Sequence, residues 1–171
     1  EIILGSWQIT VVDTDGNVGL YTSLRIDSSG YEHISYYSAS NSALMYAHYN
    51  GTKWSTSTID ETGVTGKYTS LAFTKNDKPA ISYYDETATH LNYAAWDGDE
   101  WVVSTVDDET QVGLYTSLVT TSAYAPRISY YDAESHDLKY AKYTNGTWST
   151  QVVASTGDVG TYTSIAVDSN D

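Results

Sequence analysis

Four tryptophans, Trp7, Trp54, Trp101 and Trp148, stand 47 residues apart, and four tyrosines, Tyr21, Tyr68, Tyr115 and Tyr162, keep the same interval. Whole words return between them: ISYY begins at Ile34, Ile81 and Ile128, while LMYA, LNYA and LKYA open at Leu44, Leu91 and Leu138. No insertion or deletion disturbs the register. A chain written this way folds as a row of like units, each burying its faces against its neighbours.

Within one period, apolar and polar residues alternate over short stretches rich in Tyr, Val, Thr, Ile and Trp, which is the chemistry of strands. Four strands fit each copy. In the second copy they are A (YTSLAF, 68–73), B (AISYYD, 80–85), C (HLNYAAW, 90–96) and D (EWVVSTV, 100–106). Asn50-Gly51, Asp97-Gly98 and Asn145-Gly146 fall between C and D and predict type I′ hairpin turns. Pro79 and Pro126 fall in the A-to-B turn, where a missing N–H does little harm. Four short antiparallel strands in a repeat of this length predict an all-β fold, a β-propeller of four-stranded antiparallel blades.

The strands divide into an N-terminal D strand at 4–12, blades at about 20–60, 67–107 and 114–154, and a C-terminal A strand at 161–168, an open part-ring of about 3.5 blades in one domain. Three full blades do not close a ring. The expectation is therefore that continuation of the chain or self-association completes the propeller, because an uncovered sheet edge invites pairing. Glu1 in place of Met suggests a processed or excised chain.

The recurring positions have structural readings. Gly19, Gly66, Gly113 and Gly160 precede strand A, where a positive φ or a close approach to the next blade excludes a side chain. The recurring Trp of strand D and Tyr36, Tyr83 and Tyr130 of strand B are predicted to pack between blades. Strand A is expected to alternate Tyr21, Ser23 and Arg25 against Thr22, Leu24 and Ile26.

Composition narrows the partners. The 171 residues carry a net charge of -14 and a pI near 4.3, which excludes nucleic acid and anionic membrane, since phosphate binding needs a basic footprint. The apolar runs are too short for membrane insertion, and EIILGSW lacks the basic and long apolar regions of a signal peptide. With no cysteine in the chain, disulfides and thiolate metal sites are ruled out.

The pattern DxxGxVGxYTSL, G, ISYYD, LKYA, NGxW resembles the repeat of secreted bacterial and archaeal β-propellers, loosely akin to the BNR or sialidase-like and propeller-lectin groups. The resemblance covers nearly the whole chain and implies the fold, with an extracellular or cell-surface location. It does not imply one function, since propellers carry enzymes, lectins and scaffolds alike.

In a meandering blade the D-to-A and B-to-C loops emerge on one side. They collect Asp13, Asp15, Asp60, Glu61, Asp85, Asp107, Asp108 and Asp132, which form the candidate binding surface, with Tyr37, Tyr84 and Tyr131 as candidate stacking residues. The opposite side holds Lys53, Lys75, Lys78 and Arg127, so the molecule is expected to be electrically lopsided. Carboxylates in loops suit calcium, and DTDGN at 13–17 resembles part of a calcium loop, making Asp13 and Asp15 the candidate ligands. The other copies do not keep that spacing. No other cofactor is expected. His33, His48, His90 and His136 occupy unequal repeat positions and read as packing or surface residues, not a metal cluster. Asn50 and Asn145 each open an Asn-Gly-Thr sequon, which reads first as a favourable turn and second as a glycosylation acceptor.

Catalysis fits poorly. A sialidase-like centre needs an arginine triad, and the chain holds only Arg25 and Arg127. A paired-carboxylate glycosidase needs one pair set apart, whereas the acids here recur with the turns. The reading is therefore a non-catalytic module that binds glycan or a basic protein partner, or that assembles. The alternative is a purely structural scaffold or filament subunit, and a glycosidase-like enzyme fragment ranks below both. Tyr or Trp beside Asp or Asn is the chemistry of sugar recognition, an apolar ring face with polar atoms for hydroxyls.

Overall fold

A computed structural model describes residues 6–168. Among the described residues, twelve strands form three separate antiparallel sheets. The first contains β1 (Val18–Ile26), β2 (Glu32–Ser38), β3 (Ala43–Tyr49) and β4 (Trp54–Asp60). The second contains β5 (Thr65–Phe73), β6 (Pro79–Asp85), β7 (His90–Trp96) and β8 (Trp101–Asp107). The third contains β9 (Val112–Thr120), β10 (Pro126–Asp132), β11 (Asp137–Thr144) and β12 (Thr147–Ala154). Among the described residues the only helical segment is one turn at Lys75–Asp77. The sheets are blades of a β-propeller, and they do not close a ring.

Side chains hold one blade to the next, and the repeated words are the code for this. In the doublet Tyr83-Tyr84, adjacent strand residues point to opposite faces. The leading ring of each doublet reaches back: the Tyr36, Tyr83 and Tyr130 hydroxyls donate to Asp13, Asp60 and Asp107, at the end of the preceding D segment, at 2.6, 2.6 and 2.5 Å. The trailing ring faces forward, Tyr37 lying under Lys67 of the next blade and Tyr131 donating to Asp158 at 2.8 Å. The word Tyr-Thr-Ser works in the same way. Thr69 meets Ser35 of the preceding blade at 2.7 Å and donates to Tyr21 O, while the Ser70 hydroxyl accepts from Leu118 N of the following blade at 2.9 Å. Tyr21, Tyr68, Tyr115 and Tyr162 form a continuous row, with ring centroids 4.5, 4.6 and 4.4 Å apart.

The apolar core accordingly lies between sheets. One cluster joins Leu44 of the first sheet to Leu71, Ile81 and Tyr83 of the second. Another gathers Leu91 with Val112, Leu118, Ile128 and Tyr130. Equivalent leucines show the dependence on a neighbour: Leu71 and Leu118 are 0% and 2% exposed, whereas Leu24, on the outward face of the first sheet, is 50% exposed.

Three local expectations change. Strand A does not alternate simply, because the register slips between Leu20 and Ser23, a bulge that places Tyr21, Tyr68 and Tyr115 at φ near 54° and turns their rings into the row. Only Asn145-Gly146, with φ of 53° and 86°, forms the two-residue type I′ turn. At the other two hairpins, Asn50 Oδ1 accepts from Thr52 N and Lys53 N, and Asp97 Oδ1 from Asp99 N and Glu100 N, so the side chain closes a four-residue loop.

Finally, residues 6–12 and 161–168 form no ladder in this chain, since a strand needs a partner; residues 4 and 5 lie outside the described residues. Trp7 is consequently exposed, unlike its three half-buried equivalents. The 161–168 segment nevertheless continues the row of strand-A contacts, with Tyr162 at φ 54° and Ile165 N donating to Ser117 Oγ.

Gly66 and Gly113 bear on each junction. A Cβ at Gly66, whose φ is +96°, would meet Leu44 Cα of the preceding sheet at 2.5 Å, whereas one at Gly19, φ +93°, meets nothing within 4 Å. Gly19→Ala is therefore expected to cost only the left-handed strain, ~1–2 kcal/mol. Gly66→Ala adds a backbone clash and is expected to cost at least about 3 kcal/mol. Equilibrium urea unfolding of the two variants checks the difference, and equal losses would contradict the close approach.

Candidate functional site

The acidic loop residues are mostly occupied with holding turns and junctions. Asp13, Asp60 and Asp107 are the tyrosine acceptors described above. Asp85 Oδ1 accepts from Thr87 N and Ala88 N, and Asp132 Oδ1 from Glu134 N and Ser135 N. Tyr37, Tyr84 and Tyr131 are buried, their rings set against Tyr21, Tyr68 and Tyr115. Asp15, Glu61 and Asp108 are exposed. Of the calcium pair, Asp13 spends both oxygens, one on Tyr36 and one on the Asp15 N–H. Asn50 and Asn145 stand in exposed hairpin turns.

One ion cluster, buried at Lys139 and Asp107 and exposed at Glu109, joins the third sheet to the end of the second. Lys139, 3% exposed, lies 2.7 Å from Asp107 and 2.6 Å from Glu109. Burial works against both charges, yet the bonds to Asp107 and Glu109 outweigh it at Lys139 and raise its pKa. At Asp107 the bonds from Lys139 and Tyr130 outweigh burial and lower it. Burial, then the bond to Asp107, pushes the Tyr130 phenol far above its usual range.

Two clefts open on the other side, at the A-to-B and C-to-D turns. A cleft of about 530 Å³ separates the first and second sheets, and one of about 760 Å³ separates the second and third. They are the same cleft repeated: Tyr46, Ser57, Pro79, Trp96 and Trp101 of the first correspond, one repeat on, to Tyr93, Ser104, Pro126, Tyr143 and Trp148 of the second. In each, the tryptophan of one blade meets the tyrosine of the preceding blade edge-on, Tyr46 to Trp101 at 5.1 Å and Tyr93 to Trp148 at 5.2 Å. Trp101 and Trp148 thus pack between blades as expected, though only half-buried and each lining a cleft, whereas Trp54 packs against the first sheet's own cluster and Trp7 is exposed.

The polar furniture differs between the two. The second cleft adds Arg127, Asn145 and Tyr124. The first adds His33, His48, Asp77 and Lys78. Reading the histidines by repeat position alone misses that His33 and His48 face each other across the β2–β3 hairpin. Pairing ISYY against LMYA in hairpin register finds them.

No protein-family model matches the chain, and no curated protein matches it in sequence. Solved structures share its fold. A fucose lectin from Kordia zhangzhouensis, in complex with methyl-fucoside, is 16% identical with a TM-score of 0.55 over 79% of this chain and 99% of that one. A triple arginine mutant of AofleA from Arthrobotrys oligospora is 18% identical with a TM-score of 0.57, over 79% of this chain. A point mutant of the Aleuria aurantia lectin, in complex with a fucosyl-α1,6-N-acetylglucosamine, is 16% identical with a TM-score of 0.59, over 84% of this chain. This chain spans 41% and 49% of the length of the last two. The likeness is one of β-propeller architecture.

The Lys139 cluster makes a pH-dependent prediction. Because the folded Asp107 pKa is depressed, its contribution is full above the ordinary carboxylate value and is lost as pH falls through the folded one. Lys139→Met, which places the side chain found at the equivalent Met45, strands Asp107 and is expected to cost ~3 kcal/mol at neutral pH. In that variant Asp107 protonates more readily, so the penalty shrinks below about pH 4. Denaturant unfolding of both proteins at pH 7 and pH 3 measures it; a penalty independent of pH would mean that packing, not charge, sets the cost.

Proposed function

We propose that the chain is a non-catalytic carbohydrate-binding β-propeller module that works outside the cell and takes glycans in its inter-blade clefts. The observation that carries this reading is the recurrence, position for position, of an aromatic cleft at both blade junctions. A half-buried tryptophan edge supplies an apolar face for a sugar ring, and in the second cleft Arg127 and Asn145 supply polar atoms for its hydroxyls. Equivalent weak sites on one rigid body gain by multivalency. The kinship in fold with lectins solved with fucosides supports the same ligand class and selects the first probes. The acidic loop face, proposed from the sequence as the binding surface, is the weaker candidate, because its recurring carboxylates hold turns.

The outward face of the first sheet, with Leu20, Leu24 and Ile26 exposed, takes a further blade in this reading. That blade comes from continuation of the chain or from a second copy, as Leu71 and Leu118 are covered by their neighbours.

A glycan array followed by calorimetry with α-linked fucosides tests the ligand. Trp148→Ala is expected to weaken binding by about 1–2 kcal/mol, ~5–30-fold, with the fold retained. Absence of glycan binding, or binding indifferent to Trp148→Ala, overturns the cleft reading. Native mass measurement tests the assembly separately: an 18.8 kDa species that stays monomeric with Leu24 open to solvent would refute a second copy as the cover.

A further inference from the structure

The cleft between the first and second sheets is lined by two histidines that its twin lacks, and an aspartate stands beside one of them. Asp27 follows β1, His33 lies on β2 and His48 on β3. The hairpin register sets the two histidines directly opposite each other, with ring centroids 4.4 Å apart. Asp27 Oδ2 is 3.4 Å from His33 Nε2. One donor atom from each of the three lies within 4.8 Å of the other two. We infer that Asp27, His33 and His48 form a binding site for a divalent d-block cation of the zinc type, with coordination room left for water or a ligand in the cleft.

The distances suit that chemistry. Two ligands at ~2.0–2.1 Å from a tetrahedral zinc stand roughly 3.3–3.5 Å apart, and the carboxylate oxygen and imidazole nitrogen already have that separation. His48 needs only a small closing movement to join them. Two imidazoles with one carboxylate make a donor set suited to zinc rather than to calcium, which takes oxygen ligands alone.

The surroundings hold the donors in place. Asp27 Oδ1 accepts from Ser29 N at 2.9 Å and Tyr31 N at 2.8 Å, which leaves Oδ2 directed at His33. His33 Nδ1 is hydrogen-bonded to the Tyr46 hydroxyl, so its other nitrogen faces the carboxylate. Such an outer partner is what fixes the ring of a metal-bound histidine. Burial, with the nearby His48, lowers the His33 pKa and favours the neutral imidazole that a metal needs. The Asp77 carboxylate, bonded to the Ser28 hydroxyl, adds negative charge beside the cleft.

The repeat itself supplies an independent argument. The second copy has Thr74, Ala80 and Ala95 at the three positions, and the third has Thr121, Arg127 and Lys142. Neighbouring positions keep their identity throughout, as Ile34, Ile81 and Ile128 or Tyr46, Tyr93 and Tyr140 do. The two histidines, opposite each other across the hairpin, thus depart from the repeat together, and they do so beside Asp27, an aspartate that the chain carries again at Asp168. Packing alone does not ask for that, since Ala80 and Ala95 pair across the same hairpin without it. In the third copy, fixed cations stand where the histidines would be.

The test uses the intact protein, freed of metal by chelation and dialysed. Calorimetric titration with zinc is expected to show saturable binding of one equivalent, cobalt to give the visible ligand-field absorption of a low-symmetry four-coordinate site, and zinc to raise the melting temperature by linkage. His33→Ala and His48→Ala place at each position the residue that the second sheet already carries there, so the fold is expected to survive. Each should weaken zinc binding at least about 10-fold, as should Asp27→Thr, while His90→Ala leaves it unchanged. Absence of saturable zinc binding overturns the inference. So does equal affinity in the wild type and a folded His33→Ala/His48→Ala variant. Because the readouts are metal uptake and cobalt absorption, failure here is distinct from failure of glycan binding.

Discussion

The hydrogen bonds and stacked rings that cross each blade junction carry the architecture. Sheets in this fold are not joined to one another by strand ladders, and backbone bonds cross the junctions singly, from Thr65 N to Ser42 O and from Val112 N to Thr89 O. An isolated sheet of this size leaves both faces in water. The Tyr-to-Asp bonds, the Thr and Ser hydroxyls and the tyrosine row turn those faces into complementary surfaces. Each blade sends some of these residues back and others forward, and this is why the interval must stay constant. One inserted residue would move Tyr83 off Asp60 while leaving β6 itself intact.

That constraint also explains where variation is tolerated. Positions that touch across a junction, such as Tyr83, Thr69 and Gly66, are held by contacts on two sheets. Hairpin positions beside a cleft vary instead, even where they are buried. His33, Ala80 and Arg127 occupy one site in three copies without altering the strands beneath. Two clefts of common aromatic construction can therefore carry different polar chemistry, one basic and one imidazole-rich. The acidic loops illustrate the converse. Their carboxylates recur because turns and junctions need acceptors; Asp85 and Asp132 each close a turn, and repetition there reflects geometry, not a ligand.

Much of the fold is legible in the residues. Alternating β-branched and aromatic runs with turn residues at fixed offsets mark β5 to β8 to within about three residues at each boundary. The glycine before strand A reads as a close approach, and Leu44 Cα beneath Gly66 shows it. Other features are hidden for identifiable reasons. The bulge at Tyr21 depends on the ring finding Tyr68 on another sheet, so alternation within the strand does not disclose it. Asn50-Gly51 and Asn145-Gly146 read alike, yet only the latter extends its ladder to Thr144 and Thr147 and closes as a two-residue turn. Segments 6–12 and 161–168 carry strand residues and no ladder, because pairing is a property of two segments. The site is less legible still: the aromatic clefts are built from residues of two blades, and Tyr37, Tyr84 and Tyr131 look available for stacking until their neighbours bury them.

By itself the sequence determined the unit: four antiparallel strands, their order, the faces they must bury and the interval at which neighbours meet. Those follow from local pattern and from repetition, which a linear string carries in full. Only the tertiary structure decided which copies of a residue are equivalent in environment, that Leu24 is open where Leu71 is closed, that a tryptophan lines a cleft as well as packing a junction, and that Asp27, His33 and His48 share one place. Those depend on hairpin register and on the approach of separate sheets, and the distances that make a site arise between residues that the chain keeps far apart.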